Sequence, residues 1–245
     1  MRWIYLSPHL DDAAFSAGGL IYDQAQSGLP VEIWTFMCGY PEPGAGISPF
    51  AQSLHMQWGF SSAEETVRMR RDEDKRAAAI LGANTLHFDF LDCIYRRGAN
   101  GGWLYTDVLV SPHPEEAGMP SQIAQTISTH LEPDDILVCQ LAVGSHPDHI
   151  LVRQGAELAG RPLLYDIDVP YILNHPGKWE AKSAGMKESA HLITETGLDR
   201  WKEAALAYKS QLSALGDPFD TPEKVQAAIQ AYWGECRGIR LFGTE

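Results

Sequence analysis

The chain is 245 residues long, 44% hydrophobic and 21% charged, with a formal net charge of −13 at pH 7. That is long enough to bury a full core and ordinary for a globular protein, so residues 1–245 read as one domain. The acidic balance argues against a broad phosphate-binding surface, which removes nucleic acid as a partner, and no run is long and apolar enough to span a bilayer.

Met1 to Leu6 is too short for the apolar region of a signal peptide and runs directly into a charged motif. Cys38, Cys93, Cys139 and Cys236 are scattered with no C-x-x-C pair, so a disulfide framework or a Cys-type zinc site is not expected. The expectation is a cytoplasmic protein with reduced thiols.

Trp3 to Ser7 reads as a short buried strand, followed by a helix to about Gln24–Ser27 and a second strand over Val31 to Cys38. Their spacing suits a right-handed βαβ unit and a parallel sheet. Gly18-Gly19 suits close helix-to-sheet packing better than phosphate binding, and the G-x-G-x-x-G fingerprint is absent. Gly39 to Pro49 holds three prolines and three glycines and reads as a loop, placed to serve as a substrate lid. A helix is predicted over Glu64 to Leu81 with Gly82 as its stop, then a strand over Leu86 to Leu91. Gly98 to Ser121 is a second long loop, and Ser121 caps a helix to Leu131. Strands over Ile136 to Leu141 and Leu163 to Val169 flank a helix from Pro147 to about Leu158. The segment 171–245 reads as mostly helical, clearest over Asp199 to Leu215. This alternation predicts an α/β fold, a Rossmann-like αβα sandwich on a mostly parallel sheet formed by 1–170.

Two motifs carry the chemistry: Ser7-Pro8-His9-Leu10-Asp11-Asp12, and His146-Pro147-Asp148-His149. Each follows a predicted strand, and ligand sites of open parallel sheets lie beyond those strand ends. His9 and Asp12 are three apart, so one tight turn can aim both at a point, while Asp11 points elsewhere. Taken alone, Asp11 and Asp12 read as helix caps. Pro147 holds His146 extended and starts a helix that puts His149 in its first turn. Two His and one Asp would form an open, three-ligand metal site with a position left for water, the pattern of a catalytic zinc.

With these motifs the chain resembles the PIG-L family of zinc-dependent sugar N-deacetylases, also called LmbE-like proteins, whose signatures are P-H-x-D-D and H-x-D-H. Arg70, Glu73, Ala77 and Leu81-Gly82 match the family pattern R-x-x-E-x-x-x-A-x-x-x-L-G, and Tyr208-Lys209-Ser210-Gln211 resembles its Y-x-S-Q segment. The resemblance implies His9, Asp12 and His149 as ligands of Zn²⁺ or another divalent ion. It implies Asp11 as general base, His146 as the acid or oxyanion partner, and Asp148 as the residue orienting the histidines. Arg70 would contact substrate, its alternative being a solvated helix charge, and Asp92 would lie in the sugar pocket. Leu10, where many members carry Pro or Ala, and Ser7, in place of the commoner Ala, are minor departures.

The expected reaction is hydrolysis of the acetamido group of an N-acetylglucosamine-type conjugate, a small molecule, to free amine and acetate. The alternatives are a sugar- or nucleotide-binding module with a structural metal, and an amidohydrolase acting on a non-sugar amide. Family members vary in assembly, which leaves room for a homo-oligomer. His55, His87, His113, His130, His175 and His191 have no partner at ligand spacing. Trp58, Trp103 and Tyr105 lie in or near the loops and read as buried anchors before sugar platforms.

Overall fold

The computed structural model describes residues 1–169, 171–174, 177–212, 214, 216 and 219–243. The first half runs β1 (Trp3–Ser7), α1 (Asp12–Gln26), β2 (Val31–Thr35), α2 (Pro49–Trp58), α3 (Ala63–Leu81) and β3 (Asn84–His87). The chain continues through α4 (Met119–His130), β4 (Ile136–Gln140), α5 (Pro147–Leu158), β5 (Leu163–Asp166), α6 (Tyr171–Asn174) and α7 (Lys178–Lys182). It closes with β6 (Lys187–Leu192), α8 (Glu195–Ala205), α9 (Lys209–Leu212), α10 (Pro222–Cys236) and β7 (Gly238–Gly243). Single 3₁₀ turns lie at Cys93–Tyr95 and Pro114–Glu116.

The seven strands form one sheet in the order β3-β2-β1-β4-β5-β7-β6, parallel from β3 through β5. β7 pairs antiparallel with both β5 and β6. Helices cover both faces, with α1, α3, α8 and α10 packed together and α4 against α5. Central strands buried on both sides read as continuous apolar runs, and Ile4, Leu6, Ile33, Trp34, Leu137 and Val138 are all buried. Each such side chain contributes about 1.5–3 kcal/mol on leaving water.

The glycine pair of α1 serves close packing, but against α8 and Ile193 just after β6 rather than against the sheet as the sequence suggests. A Cβ on Gly18 would lie 2.6 Å from Trp201 of α8, and one on Gly19 would lie 2.4 Å from Ile193. Trp201 also donates its indole N–H to the Phe15 carbonyl at 3.0 Å. Gly82 ends α3 in the left-handed conformation, φ 73°, as its sequence position predicts.

Several boundaries differ from the sequence expectation. β2 stops at Thr35 rather than Cys38, and β3 spans Asn84–His87 rather than Leu86 to Leu91. The two pair from Glu32↔Asn84 to Thr35↔His87, so neither outruns the other, and beyond them only a Met37↔Asp89 bridge forms. β5 stops at Asp166 because Asp168 takes a positive φ of 52°, which breaks the extended backbone. α4 starts at Met119, with Pro120 in its first turn and Gly118 before it, so Ser121 is inside the helix rather than its cap.

α2 was not anticipated; Ser48 caps it by accepting from Ala51 N at 2.9 Å. The C-terminal segment is not only helical, since it adds β6 and β7 to the sheet. The expected helix over 199–215 divides into α8 and the short α9, while Ser213 and Leu215 lie outside the described residues, as does His175.

Candidate functional site

β1 and β4 are neighbours from which the chain departs to opposite sides of the sheet, so the crevice beyond their C-terminal ends is the switch point. Both motifs open there. Of the described non-glycine residues with positive φ, Asp11, Ala142, Ser145 and Asp168 all follow β1, β4 or β5 at this edge. Backbone held in such regions costs about 1–3 kcal/mol per residue and clusters at functional sites.

The first turn is locked by Ser7. Its hydroxyl donates to the His9 carbonyl at 2.7 Å and accepts from Ala13 N at 3.1 Å. The exchange of Ala for Ser therefore gives the motif a latch, more than the minor change expected. Asp12 accepts from His9 N at 2.7 Å. Asp11 occupies the cap position of α1 with φ 155° but makes no capping hydrogen bond, so its carboxylate is left for other use.

Two imidazole nitrogens then approach one carboxylate oxygen. Asp12 Oδ2 lies 3.4 Å from His9 Nδ1 and 3.4 Å from His149 Nε2. Ligands held tetrahedrally at about 2.0–2.1 Å from an ion stand about 3.3–3.4 Å apart. His149 Nε2 is buried and has no hydrogen-bond partner, an orphan that a cation would satisfy. The opposite nitrogen of each ring meets a carboxylate: His9 Nε2 is 2.9 Å from Asp148 Oδ2, and His149 Nδ1 is 3.4 Å from Asp168 Oδ1. Such carboxylate partners fix a ring's tautomer and free its other nitrogen for metal. This donor set suits a divalent cation. A nitrogen of His146 also lies within 4.8 Å of nitrogens of His9 and His149.

The second motif is arranged differently from the sequence expectation. The Asp148 carboxylate reaches His9, whereas His146 meets Asp148 only through the backbone, its Nδ1 accepting from Asp148 N at 3.2 Å. An Nδ1 that accepts leaves the proton of neutral His146 on Nε2.

Beside the donors opens a cavity of about 180 Å³ whose walls include His9, Asp11, Asp12, His146, Arg70 and Asp92. Apolar wall is supplied by Phe15, Leu54, Trp58 and Val108. Arg70 is buried rather than solvated: it points Nη2 at Asp11 Oδ2, 3.5 Å away, and lies over the Trp58 ring at 4.9 Å. Asp92 caps the 3₁₀ turn at Cys93 and lies 4.0 Å from His9 Nε2.

Burial, and then the neighbouring Asp12 charge, push the Asp11 carboxyl up to about 7 against the pull of Arg70. Burial acts on Asp12 in the same sense, but His149 and the hydrogen bond with His9 carry it down to about 2. Burial, helped by the His9 charge, lowers His146 well below the usual imidazole range.

Sequence reasoning missed Asp168, Tyr171 and Arg96. Tyr171 lines the cavity and meets the His149 ring edge-on at 5.3 Å between centroids. Asp168, two residues past β5, sits on the same strand-end edge as the motifs, a signal that could have found it. The loop Gly39 to Pro49, expected as a lid, lines a separate cavity with the start of α3. α2 borders the site instead, through Leu54, Gln57 and Trp58. Tyr105 is a buried anchor as expected, donating its hydroxyl to Glu116, while Arg97 lies 3.6 Å from the Trp103 ring centroid.

Among solved structures, the zinc-inhibited form of teicoplanin deacetylase Orf2 superposes with a TM-score of 0.84 at 26% identity, covering 99% of this chain and 97% of that one. The A40926 pseudoaglycone deacetylase Dbv21 gives a TM-score of 0.76 at 27% identity, covering 99% and 96%. A curated relative, the 2'-N-acetylparomamine deacetylase of Streptomyces fradiae, is 29% identical over 178 residues, which is 69% of this chain. The match spans 57% of that relative's length. The family model described as PIG-L, GlcNAc-PI de-N-acetylase, matches residues 4–159, which take in both motifs, and the chain belongs to this family.

Proposed function

We propose that the protein is a metal-dependent N-deacetylase that hydrolyses the acetamido group of an N-acetylated amino-sugar conjugate to a free amine and acetate. The observation that carries this reading is the approach of His9 Nδ1 and His149 Nε2, each at 3.4 Å, to the shared Asp12 Oδ2, with Asp11 and His146 on the adjoining cavity wall. The deacetylase relatives support the reaction class.

His9, Asp12 and His149 would hold the ion, with zinc the expected metal. Bound there, a divalent cation polarises an acyl carbonyl and acidifies water. Asp11, free of any capping role, takes the proton of the attacking water on its carboxylate. Arg70 holds that carboxylate by charge and, braced on Trp58, is placed to meet a polar group of the substrate. His146, neutral, donates a hydrogen bond from Nε2–H to the developing oxyanion, and the proton held on Asp11 passes to the departing nitrogen as the C–N bond breaks. Asp92 contributes an acceptor for sugar hydroxyls. Asp148 and Asp168 do not touch substrate; they orient His9 and His149.

The continuous sheet supports reading 1–245 as one domain. Among the described residues no helix is long and apolar enough to cross a membrane. The four cysteines are free, which supports the cytoplasmic placement expected from the sequence.

Acetate release tests the activity, with N-acetylglucosaminyl-inositol, N-acetylglucosaminyl-malate, N,N'-diacetylchitobiose, 2'-N-acetylparomamine and a non-sugar acetanilide as substrates. Metal is titrated from substoichiometric amounts, because a zinc-inhibited state is described for the teicoplanin deacetylase. Release from a sugar conjugate that stops on chelation supports the proposal. Release from the anilide alone, or binding of metal with no release from any substrate, overturns it.

A further inference from the structure

Arg96 ends the 3₁₀ turn Cys93–Tyr95 and enters the long loop before α4, outside the walls of the site cavity. It is an arginine buried to 6% exposure between two buried carboxylates. Its Nη2 lies 2.6 Å from Asp148 Oδ1 and its Nε 2.5 Å from Glu116 Oε1, both charge contacts without hydrogen-bond alignment, while Nη2 donates to Glu116 Oε2 at 3.3 Å. Nη1 donates to the Leu91 carbonyl at 3.0 Å, and the guanidinium stands 5.3 Å from the Tyr105 ring centroid. Glu116 is held in turn by the Tyr105 hydroxyl.

The two oxygens of Asp148 are thus divided. Oδ1 faces Arg96, while Oδ2 meets His9 Nε2 at 2.9 Å and accepts from Cys93 N at 3.0 Å. The terminal torsion of an aspartate is soft, so its partners decide how the carboxylate is turned. A carboxylate turned differently would no longer present Oδ2 to the His9 ring. That ring's other nitrogen faces Asp12 at 3.4 Å.

We propose that Arg96, clamped by Glu116, is a positioning residue for metal binding: it sets the Asp148 carboxylate, which turns His9 so that Nδ1 faces the ion. The relay rests on the reading of His9 as a metal ligand. It also ties the loop carrying Tyr105 and Glu116 to the metal centre without either residue entering the cavity. The path runs Glu116, Arg96, Asp148, His9, and every member is buried.

The test uses the full chain and the metal alone. Zn²⁺ affinity is measured by competition with a chromophoric chelator, Co²⁺ binding by its visible spectrum, and the metal-free melting temperature in parallel. Arg96→Met should weaken Zn²⁺ binding about 10–100-fold and change the Co²⁺ spectrum, the size seen for outer partners of metal ligands. Arg96→Lys, which keeps the charge but loses the fork, should recover part of the affinity. Glu116→Gln should give a smaller fall in the same direction, and it decides the matter if Arg96→Met does not fold. A residue that only staples the loop would lower the melting temperature and leave affinity and spectrum unchanged. That result, with His9→Ala losing the metal, overturns the relay and spares the site. Should His9→Ala bind metal as the wild type does, the ligand assignment itself fails and the relay falls with it.

Discussion

Tyr208 donates a 2.8 Å hydrogen bond to Asp74 Oδ1, and the other oxygen of that carboxylate lies 2.7 Å from His87 Nε2. The preceding residue, Glu73, accepts from both the backbone N and the hydroxyl of Ser210, at 3.0 and 2.6 Å. The segment around α9 is thereby pinned to α3, which fixes Arg70 and Gln211 on the cavity wall. Tyr208→Phe leaves Asp74 Oδ1 buried and unpaired. We expect a loss of about 1–3 kcal/mol in urea unfolding. An unchanged transition midpoint would refute the pinning.

Asp11→Ala separates catalysis from metal holding. His9, Asp12 and His149 are left intact, so bound zinc per chain should match the wild type. Acetate release should fall by about 10²–10⁴, the usual worth of a positioned proton acceptor. Near-full turnover would remove Asp11 from that role.

Asp168→Asn tests the second carboxylate–histidine pair. Asp168 accepts from Ala142 N at 3.2 Å and Val143 N at 3.0 Å as well as facing His149 Nδ1. An amide can accept with one end only, so the turn after β4 loosens and His149 loses its charged partner. Zinc affinity should drop about 10–100-fold by chelator competition. Wild-type affinity would show that the ring is held by packing alone, through Tyr171.

Stability below neutral pH should respond to Asp135, which binds Arg2 across β1 and β4. Arg2 donates to it from Nε at 3.1 Å and Nη2 at 2.6 Å. Burial alone would raise this carboxyl, but the Arg2 side chain and the backbone N–H groups of Glu132 and Arg2 hold it below its usual range. A carboxyl lowered on folding stabilises the protein fully above its unfolded pKa, about 3.9, and loses that stabilisation as pH falls through the lower folded value. Arg2→Gln should therefore lower stability by about 1–3 kcal/mol at pH 7, with the deficit shrinking once pH drops below about 4. A deficit that stays constant from pH 7 to about pH 3 would contradict the linkage.

How far the sequence could be read depended on whether a residue's role was local. β1, α1, α5 and the stop at Gly82 are written in short apolar runs, a proline and a glycine. β6, Lys-Glu-Ser-Ala-His-Leu, carries no apolar alternation because it is an exposed edge strand whose order comes from β7. Likewise, the two motifs were legible because their ligands cluster within four or six residues. Arg96 and Asp168 were not, since each acts through contacts with residues distant in sequence. Ser7 looked minor because its two hydrogen bonds exist only once the turn has closed.

The position of β1 between β2 and β4 has a consequence for synthesis. Strands β1, β2 and β3 have all been synthesised by about His87, yet the partner for the other edge of β1 ends only at Gln140. At about 5–20 residues per second, that edge stays unpaired for roughly 3–10 s. During this interval Ile4 and Leu6 border an open strand, a natural target for chaperones. His9 and Asp12 have already emerged, but His149 has not, so the nascent half cannot complete the centre. Metal capture is deferred until both halves of the sheet have met.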